Sequence, residues 1–136
     1  MAGTQVFVWP VRVYYEDTDA GGIVYYANYL KFMERARTEW LRNYGIDLRQ
    51  LAAQEGMMFV VRSANLDFLQ PAHLGDALDV SVEVLRRRPA SVTLRQQVTS
   101  SGEVLCTGEV QLACVESLSM RPCPLPPFTQ EGESAQ

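Results

Sequence analysis

A chain of 136 residues, 47% hydrophobic and 21% charged, suffices for a single core, and no second domain is expected. Its net charge of -4 argues against wholesale nucleic-acid binding and leaves room only for a local basic patch. No run approaches the roughly 20 apolar residues of a membrane span, and no basic-then-apolar leader opens the chain, so a cytoplasmic protein without an integral membrane segment is expected.

In chain order, Phe7 to Asp17 reads as an extended segment whose Pro10 suits an edge strand or a strand start. It delivers two carboxylates, Asp17 and Asp19, just before Gly21-Gly22. From about Tyr26 to Tyr44 the period becomes helical, with Tyr29, Met33, Ala36, Trp40 and Tyr44 in one stripe flanked by Phe32 and Leu41. Gly45 supplies the stop. Lys31, Arg35, Glu39 and Arg42 fall largely off the stripe; Arg35 with Glu39, and Glu34 with Arg37, have the spacing of surface ion pairs.

A short helix from Leu48 to Gln54 is followed by period-two patterning to the end of the folded part. Met57 to Phe68, Ala77 to Leu85, Val92 to Thr99 and Val104 to Val115 read as strands, and Leu78, Val80, Val82 and Val84 share one face of the second. Turn signals stand at Gln70-Pro71, Pro89-Ala90-Ser91 and Ser100-Ser101-Gly102. Cys106 and Cys114 share a strand face if no bulge intervenes; with Cys123 they lack CxxC spacing, so buried thiols are expected and neither a disulfide framework nor a zinc site is indicated. Short connections favour antiparallel pairing, and one amphipathic helix needs an apolar sheet face, which together predict an α+β fold with a curved sheet around a helix. From Ser117 the chain gains Pro122, Pro124, Pro126 and Pro127, so residues 1–116 read as the single domain and 117–136 as a Pro-rich, mobile tail.

The chemistry concentrates between Tyr15 and Arg37, YEDTDAGGIVYYANYLKFMERAR. A carboxylate there faces a helix N-terminus, which places a base or nucleophile beside unpaired backbone N-H donors: the equipment to attack a carbonyl and hold the resulting oxyanion. Asp19 fits that role or simply caps the following turn. Asp17, two positions away on an extended chain, points to the other side and suits a structural hydrogen bond. Gly21 and Gly22 permit positive φ and close substrate approach, or a plain turn. The N-H groups near Tyr25 and Tyr26 sit where the helix dipole favours negative charge, and Tyr25, Tyr29 and Phe32 are pocket walls or core.

Other candidates carry less. The sole histidine, His73, follows Pro71 in a loop, away from the start of the helix in sequence, and no GxSxG elbow suggests a triad. No HxxxH or Cys/His cluster supplies metal ligands, so a reaction without metal or cofactor is expected. Arg86-Arg87-Arg88 is the strongest basic concentration; arginines of this kind hold phosphates bidentately or guard an edge strand. No Walker-type phosphate loop is present.

Tyr15-Glu16-Asp17-Thr18-Asp19, Gly21-Gly22-Ile23-Val24-Tyr25, Asn28-Tyr29 and Glu34-Arg35-Ala36-Arg37, with Asp67-Phe68-Leu69, Pro71-Ala72 and Gly75-Asp76 downstream, resemble the hotdog-fold acyl-CoA thioesterases of the 4-hydroxybenzoyl-CoA thioesterase type. Within that type the resemblance is to the subgroup associated with the bacterial Tol-Pal system, and it spans essentially residues 6 to 116. It implies a long central helix wrapped by a five-stranded antiparallel sheet, homodimers whose sheets join, frequent homotetramers, and active sites built across the dimer interface. It also implies hydrolysis of an acyl-CoA to free acid and CoA without a cofactor. Asp19 would be nucleophile or general base and the Tyr26 backbone N-H the oxyanion donor. Gly22, Tyr25 and Tyr29 would lie beside the substrate, with Arg86 and Arg88 on the CoA phosphates.

The chain departs from many Tol-Pal-type relatives, which carry His where it has Tyr26; the hydroxybenzoyl type has Tyr there. A role for that His therefore does not transfer. Other hotdog enzymes use a helical glutamate, for which Glu34 is the candidate, and hotdog dehydratases use a histidine in the helix region, where this chain has none. Alternatives to the acyl-CoA reading are an acyl-carrier-protein thioesterase, since carrier and CoA share the pantetheine arm, and a noncatalytic acyl-binding or envelope-complex partner.

Overall fold

The computed structural model describes residues 6–127. Its longest helix, α1 (Tyr26–Asn43), forms where the sequence has its 3.6-residue apolar stripe. Tyr29, Phe32, Met33, Ala36, Trp40 and Leu41 are buried, while Lys31, Glu34, Arg35 and Arg42 stay in solvent. The helix ends in a Schellman turn. Gly45 at φ 82° lets its N-H reach Arg42 C=O at 2.8 Å and the Ile46 N-H reach Leu41 C=O at 3.0 Å. A side chain at Gly45 would cost about 1 kcal/mol in that left-handed conformation.

Five strands cover the apolar face of α1: β1 (Val6–Arg12), β2 (Met57–Phe68), β3 (Ala77–Arg87), β4 (Ser91–Ser100) and β5 (Glu103–Glu116). They make one sheet in the order β1-β3-β4-β5-β2, with every neighbouring pair antiparallel. This is the α+β hotdog arrangement, and β2 to β5 agree with the period-two reading to within two residues. The inward rows are Leu78, Val80 and Val82 of β3, Val92, Leu94 and Val98 of β4, and Cys106, Val110 and Leu112 of β5, all buried against α1. Each large aliphatic side chain so buried contributes roughly 1.5–3 kcal/mol. Gly108 lets helix and sheet approach: a Cβ there would stand 3.2 Å from Leu66 Cγ and 3.3 Å from Met33 Cε. Pro10 lies in edge strand β1, where its missing N-H breaks no ladder on the outer side.

Three local expectations change. The extended segment expected to Asp17 stops at Arg12, because Tyr15–Asp17 close a 3₁₀ turn in which the Asp17 carboxylate accepts the Tyr14 N-H at 2.8 Å. The expected Glu34–Arg37 surface pair is also not what Arg37 makes. Arg37 is buried and donates to Gln96 Oε1 at 3.0 Å, while Glu34 accepts from the Thr38 hydroxyl at 3.2 Å and Glu39 pairs with Arg42 at 3.1 Å. Finally, the chain does not leave the body at Ser117. Cys123 N-H bonds Cys114 C=O at 2.9 Å, Leu125 N-H bonds Pro89 C=O at 2.9 Å, and Leu125 packs against the core. Apolar Leu125 supplies a reason to dock that a count of prolines does not. Residues 128–136 of the expected tail lie outside the described residues.

One irregularity sets where an arginine points. In β3 the partners run Val84↔Leu94 and then Arg86↔Thr93, so Leu85 is an extra residue, a β-bulge. Without it, strict alternation from Leu78 through Val84 would turn Arg86 toward the core. With it, Arg86 lines a cleft of about 370 Å³ on the outer sheet face, beside Asn65, Thr93, Glu109 and Gln111. Among the described residues no helix is long and apolar enough to cross a membrane.

Candidate active site

The segment between β1 and α1 is held by its own polar groups. Asp19 opens a tight turn in which Gly22 N-H bonds Asp19 C=O at 3.0 Å, and the Asp19 carboxylate accepts the Gly21 N-H at 2.8 Å. Asp at the first position and a glycine in the left-handed region at the fourth, Gly22 at φ 80°, are what such a turn favours. The turn is closed by Asp19 N-H to Ile23 C=O at 2.9 Å and by the bridge between Thr18 and Val24. Asp19 therefore does cap its turn, through one oxygen. Among the described residues its second carboxylate oxygen, Oδ2, has no hydrogen-bond partner, and the side chain is exposed.

Asp17 does different work from Asp19. It is 6% exposed, its carboxylate holds the Tyr14 N-H, and its C=O receives both Tyr25 N-H at 3.3 Å and Asn28 Nδ2 at 2.8 Å. Asn28, buried in the first turn of α1, thus ties the helix to the aspartate segment. The sequence marks Asn28 only as one of the residues that carry the resemblance and as a polar residue on the inward side of the helical stripe; neither assigns it this tie. With Tyr25 and Asn28 anchored, the helix N-terminus is fixed beside the Asp19 turn. Among the described residues the backbone N-H groups of Tyr26 and Ala27 find no acceptor, as expected for the first turn of a helix without a side-chain cap.

A cleft of about 240 Å³ opens at this end of the helix, walled by Val24, Tyr26, Tyr29, Phe68, Leu69 and Pro71. Phe68 stands edge-on to Tyr26 at 5.9 Å and to Tyr29 at 5.5 Å between ring centroids. Tyr29 is both core and cleft wall. Its ring is buried, and its hydroxyl accepts the Ala72 N-H at 3.0 Å. Burial raises the Tyr29 pKa above the ordinary phenol value, with the Ala72 hydrogen bond opposing it. Tyr25 is exposed beside the turn and Phe32 lies fully in the core. Phe68 and Leu69, at the end of β2, are wall residues that sequence spacing alone did not assign; they lie about forty residues along the chain from Tyr26 and Tyr29, which they face.

His73 is far from the aspartate turn in sequence and adjacent to it in space. Its backbone bridges Ile23, Val24 N-H bonds Ala72 C=O at 2.9 Å, and Leu74 N-H bonds Gly22 C=O at 3.1 Å. Its imidazole is exposed, with Nδ1 3.9 Å from Asp76 Oδ2. Glu34, further along α1, is exposed and bonded to Thr38.

Asp19 and Gly22 share the turn before α1, Tyr25 is the N-cap residue of the helix, and Tyr26 and Tyr29 wall the cleft at that end of it; Arg86 and Arg88 are not among them. The N-terminal end of β3 adjoins the aspartate segment through Val13 N-H to Asp76 C=O at 3.0 Å. The arginines lie at the other end of that 11-residue strand, roughly 33 Å away along it. Both are exposed.

Comparison with known proteins meets this geometry. A family model described as the thioesterase-like superfamily matches residues 13–132. The chain is 44% identical to the acyl-CoA thioester hydrolase YbgC of Escherichia coli O6:H1, over 90% of this chain and 92% of that one. It is 42% identical to the acyl-CoA thioesterase YbgC of Haemophilus influenzae, over 88% of each. Among solved structures, a probable thioesterase from Bartonella henselae superimposes with a TM-score of 0.85 at 34% identity, covering 90% of this chain and all 100% of that one.

Proposed function

The chain belongs to the thioesterase-like superfamily and is a hotdog-fold thioester hydrolase, and from that premise we propose that its substrate is an acyl-CoA, hydrolysed to the free acid and CoA at the Asp19 turn. The observation that carries the reading is that, among the described residues, a carboxylate oxygen in the turn before α1 has no partner and the first N-H groups of α1 have no acceptor, with an aromatic cleft walled by Tyr26 at that end of the helix. The acyl group lies in the cleft against Tyr26, Tyr29 and Phe68. Its thioester oxygen turns to the Tyr26 N-H, where backbone donors and the helix dipole stabilise the charge that develops as the carbonyl is attacked.

Asp19 has two ways to deliver the oxygen. As general base it takes a proton from water, the hydroxide adds to the carbonyl carbon, the C-S bond breaks and the CoA sulfur receives the proton. As nucleophile it forms an acyl anhydride that water then opens. Label in the Asp19 carboxylate after a single turnover in ¹⁸O-water identifies the second route, with water opening the anhydride at the Asp19 carbonyl carbon; the general-base route never labels it. Gly22 keeps the turn low beside the reacting centre, and Tyr25 borders it.

Arg86 and Arg88 fit the 3′-phosphate and pyrophosphate of CoA as bidentate donors. Their separation from Asp19 along β3 means that in this reading they serve the site of a second copy, in a homodimer or homotetramer whose active sites are shared. The outer edge of β2, one of the two edge strands of the sheet, is the joint in this reading.

The decisive experiment follows thiol release from acyl-CoAs with short aliphatic, long aliphatic and aromatic acyl groups, and from the corresponding acyl-carrier-protein thioesters, using wild type and Asp19→Asn. Turnover of CoA esters that collapses in the variant while ligand binding persists supports the reading. Full activity in Asp19→Asn removes Asp19 from it, and turnover confined to carrier thioesters changes the substrate class.

A further inference from the structure

The C-terminal segment takes over an edge of β5 where β4 begins. Val115 bridges Pro122, Cys123 N-H bonds Cys114 C=O at 2.9 Å, and Glu116 N-H bonds Arg121 C=O at 2.9 Å, which is antiparallel pairing with Cys114 opposite Cys123. The two side chains meet, with Sγ atoms 3.4 Å apart. Two residues on, Leu125 N-H bonds Pro89 C=O at 2.9 Å, in the turn between β3 and β4 that follows Arg88. Directly opposed residues of an antiparallel pair have Cα separations within the range that a disulfide spans without backbone movement. Both thiols are free, Cys114 buried and Cys123 partly accessible.

We propose that Cys114 and Cys123 are a reversible dithiol–disulfide pair whose oxidation straps the C-terminal segment to β5 and to the β3–β4 turn. Spacing in the sequence gave no sign of it; the fold makes the pair by returning the chain across its last strand. The oxidant is a low-molecular-weight disulfide. The accessible Cys123 attacks one of its sulfurs as thiolate, forming a mixed disulfide and releasing one thiol; Cys114 then attacks the Cys123 sulfur and expels the second. Two cysteine protons and two electrons leave the protein, and one small disulfide becomes two thiols. Burial and the neighbouring Cys123 hold the Cys114 thiol up at about 12, so Cys114 is the resolving partner, and it gives its proton to the departing thiolate. Cys106, buried under α1 in the core, has no place in the exchange.

The test uses the full chain with oxidised glutathione, alkylation before denaturation, thiol counting and peptide mapping, with hydrogen exchange as a second readout. The expected result is loss of two of the three thiols, a linked peptide holding Cys114 and Cys123, reversal by dithiothreitol, and slower exchange across residues 121–125. Cys114→Ser is expected to stop at a mixed disulfide on Cys123. Three intact thiols under conditions that fully oxidise a free dithiol would overturn the proposal. So would wild type halting at the mixed disulfide, or a link through Cys106. None of these readouts depends on turnover.

Discussion

The start and the middle of α1 treat polar groups in opposite ways. In the middle, Arg37 and Gln96 are buried and engaged: Gln96 accepts from Arg37 at 3.0 Å and donates to Met33 C=O at 3.1 Å and Ser81 C=O at 3.3 Å. At the start, among the described residues, the first helix N-H groups and a carboxylate oxygen of the preceding turn have no partner, and Tyr25 and Tyr26 face solvent. Polar groups inside a core cost stability unless satisfied, so the middle is what folding alone demands. Open donors and acceptors held rigidly at a cleft contribute little to folding and are ready for a ligand. The difference separates stability from chemistry along a single helix, and substitutions at each end should divide accordingly.

The largest effect is expected at the start. Asp19→Asn keeps an oxygen for the Gly21 N-H and removes the base, so thioester hydrolysis should fall by about 10²–10⁴-fold. The unfolding free energy should move by less than about 0.5 kcal/mol, because the side chain is exposed. Steady-state kinetics and urea unfolding on the same sample check both halves. Destabilisation in proportion to the lost activity would erase the distinction between the two ends.

The converse belongs to Gln96. Gln96→Ala leaves the Arg37 guanidinium, whose pKa burial already lowers against the pull of Glu34, without its acceptor. A loss of about 3 kcal/mol in stability is expected, with turnover per folded molecule unchanged. Replacing both residues by apolar ones, Arg37→Met with Gln96→Leu, should cost less than Gln96→Ala alone, which a double-mutant cycle by chemical denaturation reads directly.

These two residues also mark the limit of what the sequence disclosed. The strands and α1 were legible because burial of one face imposes a period, and Val92, Leu94 and Val98 keep that period. Gln96 occupies the same inward row and looks, in sequence, like a polar interruption. Arg37 looks like half of a surface pair with Glu34. Their burial is decided by each other across 59 positions, and by carbonyls of Met33 and Ser81, none of which local pattern contains. At the site, the Asp-Ala-Gly-Gly turn announced itself through residues with special backbone preferences, Asp19 and Gly22. Phe68, Leu69 and the backbone of His73 arrive from other elements, and hydrophobic residues at a strand end carry no mark of which helix they will face.

A smaller kinetic effect is expected far from the turn. Arg86→Gln should raise KM for acyl-CoA by about 5–30-fold with kcat little changed, since a phosphate contact remote from the reacting bond binds ground and transition states alike. Shorter acyl-pantetheine substrates lack those phosphates and should show no difference between wild type and variant. At the start of the helix, Tyr26→Phe should leave kcat within about threefold, because the proposed donor is its backbone N-H and a Phe ring preserves the edge-on contact with Phe68.

The mildest test addresses the core end through pH. Burial raises the Cys106 thiol from 9.0 to about 11, with the charge of Asp67 adding to the effect. In the unfolded chain the same thiol ionises near its ordinary value, so between these two values the unfolded state binds fewer protons than the native one. The sign follows: the contribution is fully present below about pH 9 and is lost as pH rises through the folded value. Unfolding midpoints at about pH 8 and about pH 10.5 should therefore decline in wild type and decline less steeply in Cys106→Ala. Some slope should survive in the variant, because burial raises Tyr29 and Cys114 in the same direction. An unchanged slope would mean that Cys106 ionises as readily folded as unfolded, which a thiol sealed between α1 and the sheet should not do.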